Sequence, residues 1–429
     1  MEIQQFIDKY GLNADFNSFM ENTNAFVEEM ELGLNGKPSS LMMIPAYVSL
    51  DHPPQRYDGS VVVIDAGGTN LRVAVVRFSA DNAPIIEESY NHSMLGLRAE
   101  ITIEGFFEGL AEFLRPVAAK SGHIGFCFSF PCEIMPDLDG RVLFFDKEIK
   151  IKDSEGAILG EGLRRALKKK GLPHDHRVVV INDTVATLLG GRADSQNRLY
   201  DSYIGYILGT GTNTCYNERN INITKNPVLC SREGSSLINM ESGGYDRFPR
   251  SAVDEGFDSK LESPGTQLLE KMISGAYQGK LLLAYVDAAV REGYLQQKGK
   301  KGDGPGSLEA REVDEFLAYP HGKNKLAESF PGAVDKVALY HLIDAFFERA
   351  AALTSVNLTG VMQKTGAGKS PLAPVCITAE GSTFYKSRML HEKVSHYMTE
   401  YAKKRLGMYF ELKRVENVTL LGAAYAALL

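Results

Sequence analysis

The chain has 429 residues, is 44% hydrophobic and 24% charged, and carries a net charge of −7. That length leaves room for two domains, and the composition excludes a disordered or fibrous chain. The acidic balance argues against nucleic acid as a partner, because phosphate backbones select basic faces. Cys127, Cys132, Cys215, Cys230 and Cys376 lack paired C-x-x-C spacing, which favours reduced thiols and a cytoplasmic protein. No basic leader opens the sequence, and no stretch approaches the ~20 apolar residues of a membrane span, so no membrane association is expected.

In chain order, residues 1–57 carry a helical pattern and then the apolar run Leu41–Pro45. Residues 58–77 read as a strand, a tight turn and a returning strand, since two β-branched runs flank Gly67 and Gly68. Asp65 ends the first strand; Thr69, Asn70 and Arg72 follow the glycines as donors. Missing side chains at the glycines let an anion approach the backbone N–H groups. An ordinary hairpin whose turn needs glycine fits the same residues. Residues 102–120 are expected as an amphipathic helix, Ile124–Pro131 as a buried strand and 160–170 as a basic helix. Residues 177–181 form a strand, with a helix starting at 183. This alternation argues an α/β fold.

Asn182 and Asp183 stand at the end of that strand. A carboxylate there faces the crevice where α/β proteins bind ligands, and could serve as a general base. It could equally cap the helix that follows. A second glycine hairpin comes next, with Gly209, Thr210, Gly211, Thr212 and Asn213 at its turn. Two such devices suggest two half-domains, each offering a phosphate loop across a cleft. Glu241 and Glu270 sit in glycine-bearing segments and suit vicinal hydroxyls, since each carboxylate accepts several hydrogen bonds. Helices are expected over 265–292, 335–360 and 386–407, and a mobile surface loop over 293–312.

Three motifs lead nowhere. Gly366-Ala367-Gly368-Lys369-Ser370 resembles a P-loop end, but Gln363 replaces the first glycine and Pro371 follows. His391 and His396 are five apart, not the four of a zinc-binding helix. The basic run 164–170 is the solvated side of a helix.

Taken together and in order, these segments resemble the hexokinase family. The resemblance runs through Phe26–Leu34, Met43–Val48, Asp65–Val73, Gly125–Cys132, Asn182–Val185, Gly209–Tyr216, Asn239–Glu241, Pro264–Gly275, Glu380–Ser382 and Gly422–Ala424. It implies a two-lobed, actin-like ATPase fold (ribonuclease H-like) with a cleft between the lobes. The small domain would span 58–182, completed by the C-terminal helix 416–429. The large domain would span 183–415, with 1–57 packed on it.

The resemblance further implies a kinase that moves the γ-phosphoryl of Mg-ATP to the 6-hydroxyl of a hexose such as glucose, for glycolysis. Asp183 would be the base, with Lys147 and Arg72 the other catalytic groups. Ser129, Asp146, Lys147, Asn182, Asn213, Glu241, Gln267 and Glu270 would line the sugar. Asp65 would act on Mg²⁺ through water. Gly67, Gly68, Thr69, Asn70, Arg72, Gly209, Thr210, Gly211 and Thr212 would surround the phosphates, with Gly381 and Ser382 at the nucleoside. The lobes would close on the sugar, in a monomer or homodimer.

The chain departs from the family in places. Phe145-Asp146-Lys147-Glu148 stands for Trp-Thr-Lys-Gly, so an acid replaces a sugar-contacting hydroxyl. Ala379-Glu380-Gly381-Ser382 stands for Val-Asp-Gly-Ser. Residues 417–421 replace a glycine-rich turn where adenosine would sit. A different hexose or phosphoryl donor is one alternative reading. A sugar-sensing protein without useful catalysis is another, disfavoured by the presence of Asp65, Lys147 and Asp183 together.

Overall fold

The computed structural model describes residues 2–13, 15–51, 57–79, 83–145, 149–195, 198–298 and 306–429. Two sheets form its frame. In the first, Gly59–Ala66, Asn70–Phe78 and Pro84–Ser93 run as an antiparallel meander, and His123–Phe128 and Arg177–Ile181 add in parallel beside Gly59–Ala66. In the second, Ser202–Leu208, Thr212–Arg219 and Ser235–Asn239 form the meander. Val375–Glu380 and Phe410–Lys413 add in parallel beside Ser202–Leu208, and the short strand Ile44–Pro45 extends the far edge. Each sheet therefore places its glycine hairpin where parallel pairing gives way to antiparallel pairing. This is the switch point at which open α/β sheets bind ligands.

The hydrophobic pattern builds three cores. One face of the first sheet is covered by Ile103–Leu114 and Leu159–Lys169, through Phe106, Leu110, Leu163 and Leu167. One face of the second is covered by a helical layer that includes Phe16–Leu34 and the 33-residue helix Ala333–Thr365. The two remaining faces look toward each other. Between them lie the helix Asp183–Ala193 and the C-terminal helix Val418–Ala426, with Val185, Leu188, Leu189, Leu420 and Ala424 in the shared core.

Absent side chains set the closeness of this central pair. A Cβ on Gly422 would lie 1.8 Å from the Ala186 carbonyl oxygen, and one on Gly190 would lie 2.3 Å from that of Val418. The C-terminal helix in turn touches the first sheet, where a Cβ on Gly125 would meet the Ala423 carbonyl oxygen at 2.0 Å. Helix Asp183–Ala193 touches the second sheet at Gly205. The two sheets are thus joined through backbone-to-backbone contact.

Several expected elements differ in extent. The helix expected over 102–120 ends at Leu114, with a short 3₁₀ turn at Ala118–Lys120. The one over 265–292 is broken into Leu268–Ile273 and Gly275–Arg291, because Ser274 is extended and the Gly275 N–H bonds to the Gly209 carbonyl. The stretch 386–407 holds Leu390–Tyr397 and a π-helix, Met398–Arg405. The expected loop 293–312 already contains the start of a helix at Ala310, held by a Glu309–Glu312 capping box; its centre lies outside the described residues. The P-loop look-alike follows the C-cap Gly366 of a long helix and opens no helix of its own.

Gly422→Ala should cost ~1–3 kcal/mol, because the clash is with backbone that cannot rotate away. Gly122→Ala, whose Cβ would meet nothing within 4 Å, is the control. Thermal unfolding should separate the two; equal midpoints would show that the helix pair tolerates a wider spacing.

Candidate active site

Asp183 occupies the first position of its helix, but it does not cap it. The Asn182 side-chain oxygen accepts the Thr184 N–H at 2.8 Å and fills that role. Asp183 is left to the cleft, where the Ser129 side chain hydrogen-bonds to it. Burial is the main influence on its carboxyl, and the charges of Glu241 and Asp65 add to it; together they raise it from 3.8 to about 7, against the opposing bonds from the Ser129 side chain and the Thr184 N–H. Ser129 is placed by its own N–H, which bonds to the Ala66 carbonyl at 3.1 Å, so it continues the pairing of Gly59–Ala66 with His123–Phe128.

The first hairpin brings Asp65 opposite Arg72 in register. Arg72 Nε lies 3.1 Å from Asp65 Oδ2, and its Nη2 bonds to the same oxygen. Thr419 Oγ1 donates to that oxygen at 2.8 Å, and Arg72 Nη1 reaches Asn417 Oδ1 at 3.3 Å. The hairpin is thereby tied to the start of the C-terminal helix. Gly67 closes the turn by donating to the Asn70 carbonyl, while Gly68, Thr69 and Asn70 are exposed. A Cβ on Gly68 would meet nothing within 4 Å, and its backbone is not left-handed. No contact among the described residues requires glycine there, which leaves room for a ligand to come close.

The sugar-type residues cluster on the second sheet. Asn213 Nδ2 donates to Asn239 Oδ1 at 2.7 Å and to Glu241 Oε1 at 3.3 Å, while its oxygen accepts the Thr214 and Ser242 N–H groups. Asn239 also donates to Glu241 Oε1 at 2.8 Å. Burial raises the Glu241 carboxyl against these bonds. Glu241 and Gln267 both adopt left-handed backbone, at φ 55° and 49°. Non-glycine residues hold that conformation at a cost, and it concentrates at functional sites.

Glu270 Oε2 accepts the Thr212 N–H at 3.0 Å. Thr212 is buried, and its hydroxyl donates to the Ile207 carbonyl at 2.9 Å. Both Thr212 donors therefore serve the protein, where the sequence reading assigns them to phosphate. Beside it, the Gly209 carbonyl accepts the Gly275 N–H and the Thr383 hydroxyl. Gly381, at φ 118°, packs so tightly that a Cβ would lie 2.2 Å from the Leu208 carbonyl oxygen. Thr210 and Ser382 are exposed at this end.

Electrostatics joins the groups into one site. Asp183 feels Asp65 and Glu241, and Glu380 feels Arg72 and Asp65. Asp146 and Lys147 lie outside the described residues. Among the described residues no three His, Cys, Asp or Glu side chains gather to cage a metal. Asp65 supplies a lone carboxylate with one oxygen already engaged. That suits a hard ion held chiefly by water and phosphate oxygens.

Two family models, both described as hexokinase, match residues 2–193 and 203–429. The chain belongs to the hexokinase family. It is thus a hexose-phosphorylating enzyme, in a family whose phosphoryl donor is ATP. Hexokinase-5 of Oryza sativa subsp. japonica is 30% identical over 81% of this chain and 73% of that protein. Hexokinase-2 of Rattus norvegicus is 29% identical over 92% of this chain, which spans only 45% of that longer protein. A hexokinase from Schistosoma mansoni complexed with glucose superposes over 100% of both chains at a TM-score of 0.79 and 24% identity, which establishes the fold.

The cluster includes residues that local patterns did not single out. Thr419 and Asn417 brace Asp65 and Arg72 from 354 and 345 positions away. Asn239 orients Glu241. Glu380 places a further carboxylate, raised by burial, beside Asp65. Asn239 lay within a segment that follows the family pattern, whereas Glu380, Asn417 and Thr419 lay where the chain departs from it.

Because the native fold raises Asp183 to about 7, it holds this proton where the unfolded chain has lost it. Stability is therefore lost as pH rises from about 4 to about 7, and levels off above. Asp183→Asn removes that cost. Its unfolding midpoint should exceed the parent's by a few degrees at pH 8 and converge with it near pH 4. A midpoint equal to the parent's at every pH would mean that Asp183 is not desolvated.

Proposed function

We propose that this chain transfers the γ-phosphoryl group of Mg-ATP to the 6-hydroxyl of a hexose such as glucose, giving a hexose 6-phosphate for glycolysis. The observation that carries the reading is the division of labour at 182–183. Asn182 caps the helix and frees Asp183, whose carboxyl sits near 7 beside Ser129. A base with that affinity is poised to take a hydroxyl proton near neutrality. Ser129, Asn182, Glu241, Gln267 and Glu270 would orient the hexose hydroxyls; Asn213 acts through Glu241. Asp146 and Lys147 are assigned to the sugar by resemblance alone.

Gly67, Gly68, Thr69, Asn70, Gly209 and Thr210 would face the phosphates, with Gly381 and Ser382 toward the nucleoside. Magnesium, when bound, would neutralise phosphate charge, with Asp65 at hand through water. Arg72 would hold Asp65 in place, as its two bonds to that carboxylate do here. Lobes 58–182 with 416–429, and 183–415 with 1–57, would close over the sugar and exclude water as a competing acceptor. The free state of all five cysteines supports a cytoplasmic setting, and no helix among the described residues is long and apolar enough to cross a membrane.

ADP release coupled to a panel of hexoses with Mg-ATP tests the proposal. Asp183→Ala should lower kcat by ~10²–10⁴-fold while hexose binding survives. For the parent, kcat/KM should fall as pH drops through about 7, since only the ionised carboxylate accepts the proton. Near-normal turnover in the mutant would remove Asp183 from the mechanism. Hexose binding without turnover under any donor would favour a sensor.

A further inference from the structure

The second glycine hairpin holds an unexpected contact. Gly211 sits at its turn, in the segment read as a phosphate loop. Its backbone is not left-handed, so the conformation itself would admit alanine. Among the described residues the obstruction is Glu270: a Cβ on Gly211 would lie 2.5 Å from Oε2 and 3.3 Å from the carboxyl carbon. That oxygen also accepts the Thr212 N–H, the next amide along the hairpin. On the other side, a Cβ on Gly243 would lie 3.2 Å from the Glu270 Cβ and 2.8 Å from Gln267 Oε1. Two glycines from two separate loops thus wall the Glu270 side chain, and one of them belongs to the hairpin.

We propose that Gly211 is a positioning residue for the sugar rather than a phosphate contact. Its missing side chain makes the slot in which the Glu270 carboxylate is held against the Thr212 amide, at the angle that presents it to the hexose. This rests on the hexose reading above, with Glu270 as a sugar ligand. The hairpin that faces the donor is thus braced by the carboxylate that faces the acceptor. Gly68 of the first hairpin is the contrast, because nothing among the described residues fills the space at its Cβ.

Gly211→Ala separates this from the alternative. The added methyl meets the mobile end of a side chain, so the fold survives and the carboxylate moves off the amide. Glucose affinity, measured by calorimetry without nucleotide, should fall ~10–100-fold, the size of a lost charge-assisted hydrogen bond. KM for Mg-ATP should change less than about twofold, and kcat less than the sugar KM. A glucose affinity within twofold of the parent, with a raised KM for Mg-ATP, would overturn the proposal in favour of a phosphate role.

A stability cycle tests the contact independently of any substrate. Gly211→Ala should lower the unfolding midpoint of the parent and have no effect in a Glu270→Ala background, where the slot is empty. Equal effects in both backgrounds would overturn it. Should the parent bind neither glucose nor any other hexose, the hexose reading fails, while the cycle still decides whether Glu270 occupies the slot.

Discussion

The site depends on one hydrogen bond, from the Thr184 amide to the Asn182 side chain. A helix starting at the end of a buried strand has unsatisfied N–H groups, and a side-chain oxygen must meet them. With Asn182 as the cap, Asp183 projects into a poorly solvated cleft beside two other carboxylates. Burial and those charges outweigh the bonds it receives from Ser129 and from Thr184, and its high proton affinity is the result. The price in stability is borne by the rest of the frame.

That frame makes the cleft possible. Two sheets of like strand order present their hairpins toward a common space, and the paired helices between them carry Asp183 at the start of one and Thr419 near the start of the other. Asp65 is then reached from both sides, by Arg72 along its own sheet and by Thr419 from the far end of the chain. The charges are dense, yet each is answered. Arg72 offsets Asp65, Ser129 bonds Asp183, and two asparagines bond Glu241.

Much of this was legible in the sequence, for physical reasons. Both hairpins announce themselves as β-branched runs around glycine, and Arg177–Ile181 as an apolar run closed by Asn182. These are local features. The sequence could not decide between base and cap at Asp183, because the deciding atom belongs to its neighbour. Nor could it orient Thr212, since a carboxylate 58 positions away sets the direction of its donors. The break at Ser274 escaped notice for the same reason: its cause is a hydrogen bond to Gly209, not a breaker in the local run. The bracing of Asp65 by Thr419 spans nearly the whole chain, and no period or propensity encodes it.

The contact between Gly422 and Ala186 has a mechanical consequence. Helices spaced by side chains can slide, because their interdigitating ridges allow small shear. Here the two backbones touch, with a carbonyl resting where a methyl group would be. Translation along either helix would drive that carbonyl into the next residue's Cβ. A second contact of the same kind, between Gly190 and the Val418 carbonyl four residues along, opposes rotation about the first. The pair therefore acts as a rigid coupler, tying the segment that carries Asp183 to the one that carries Thr419, the brace of Asp65.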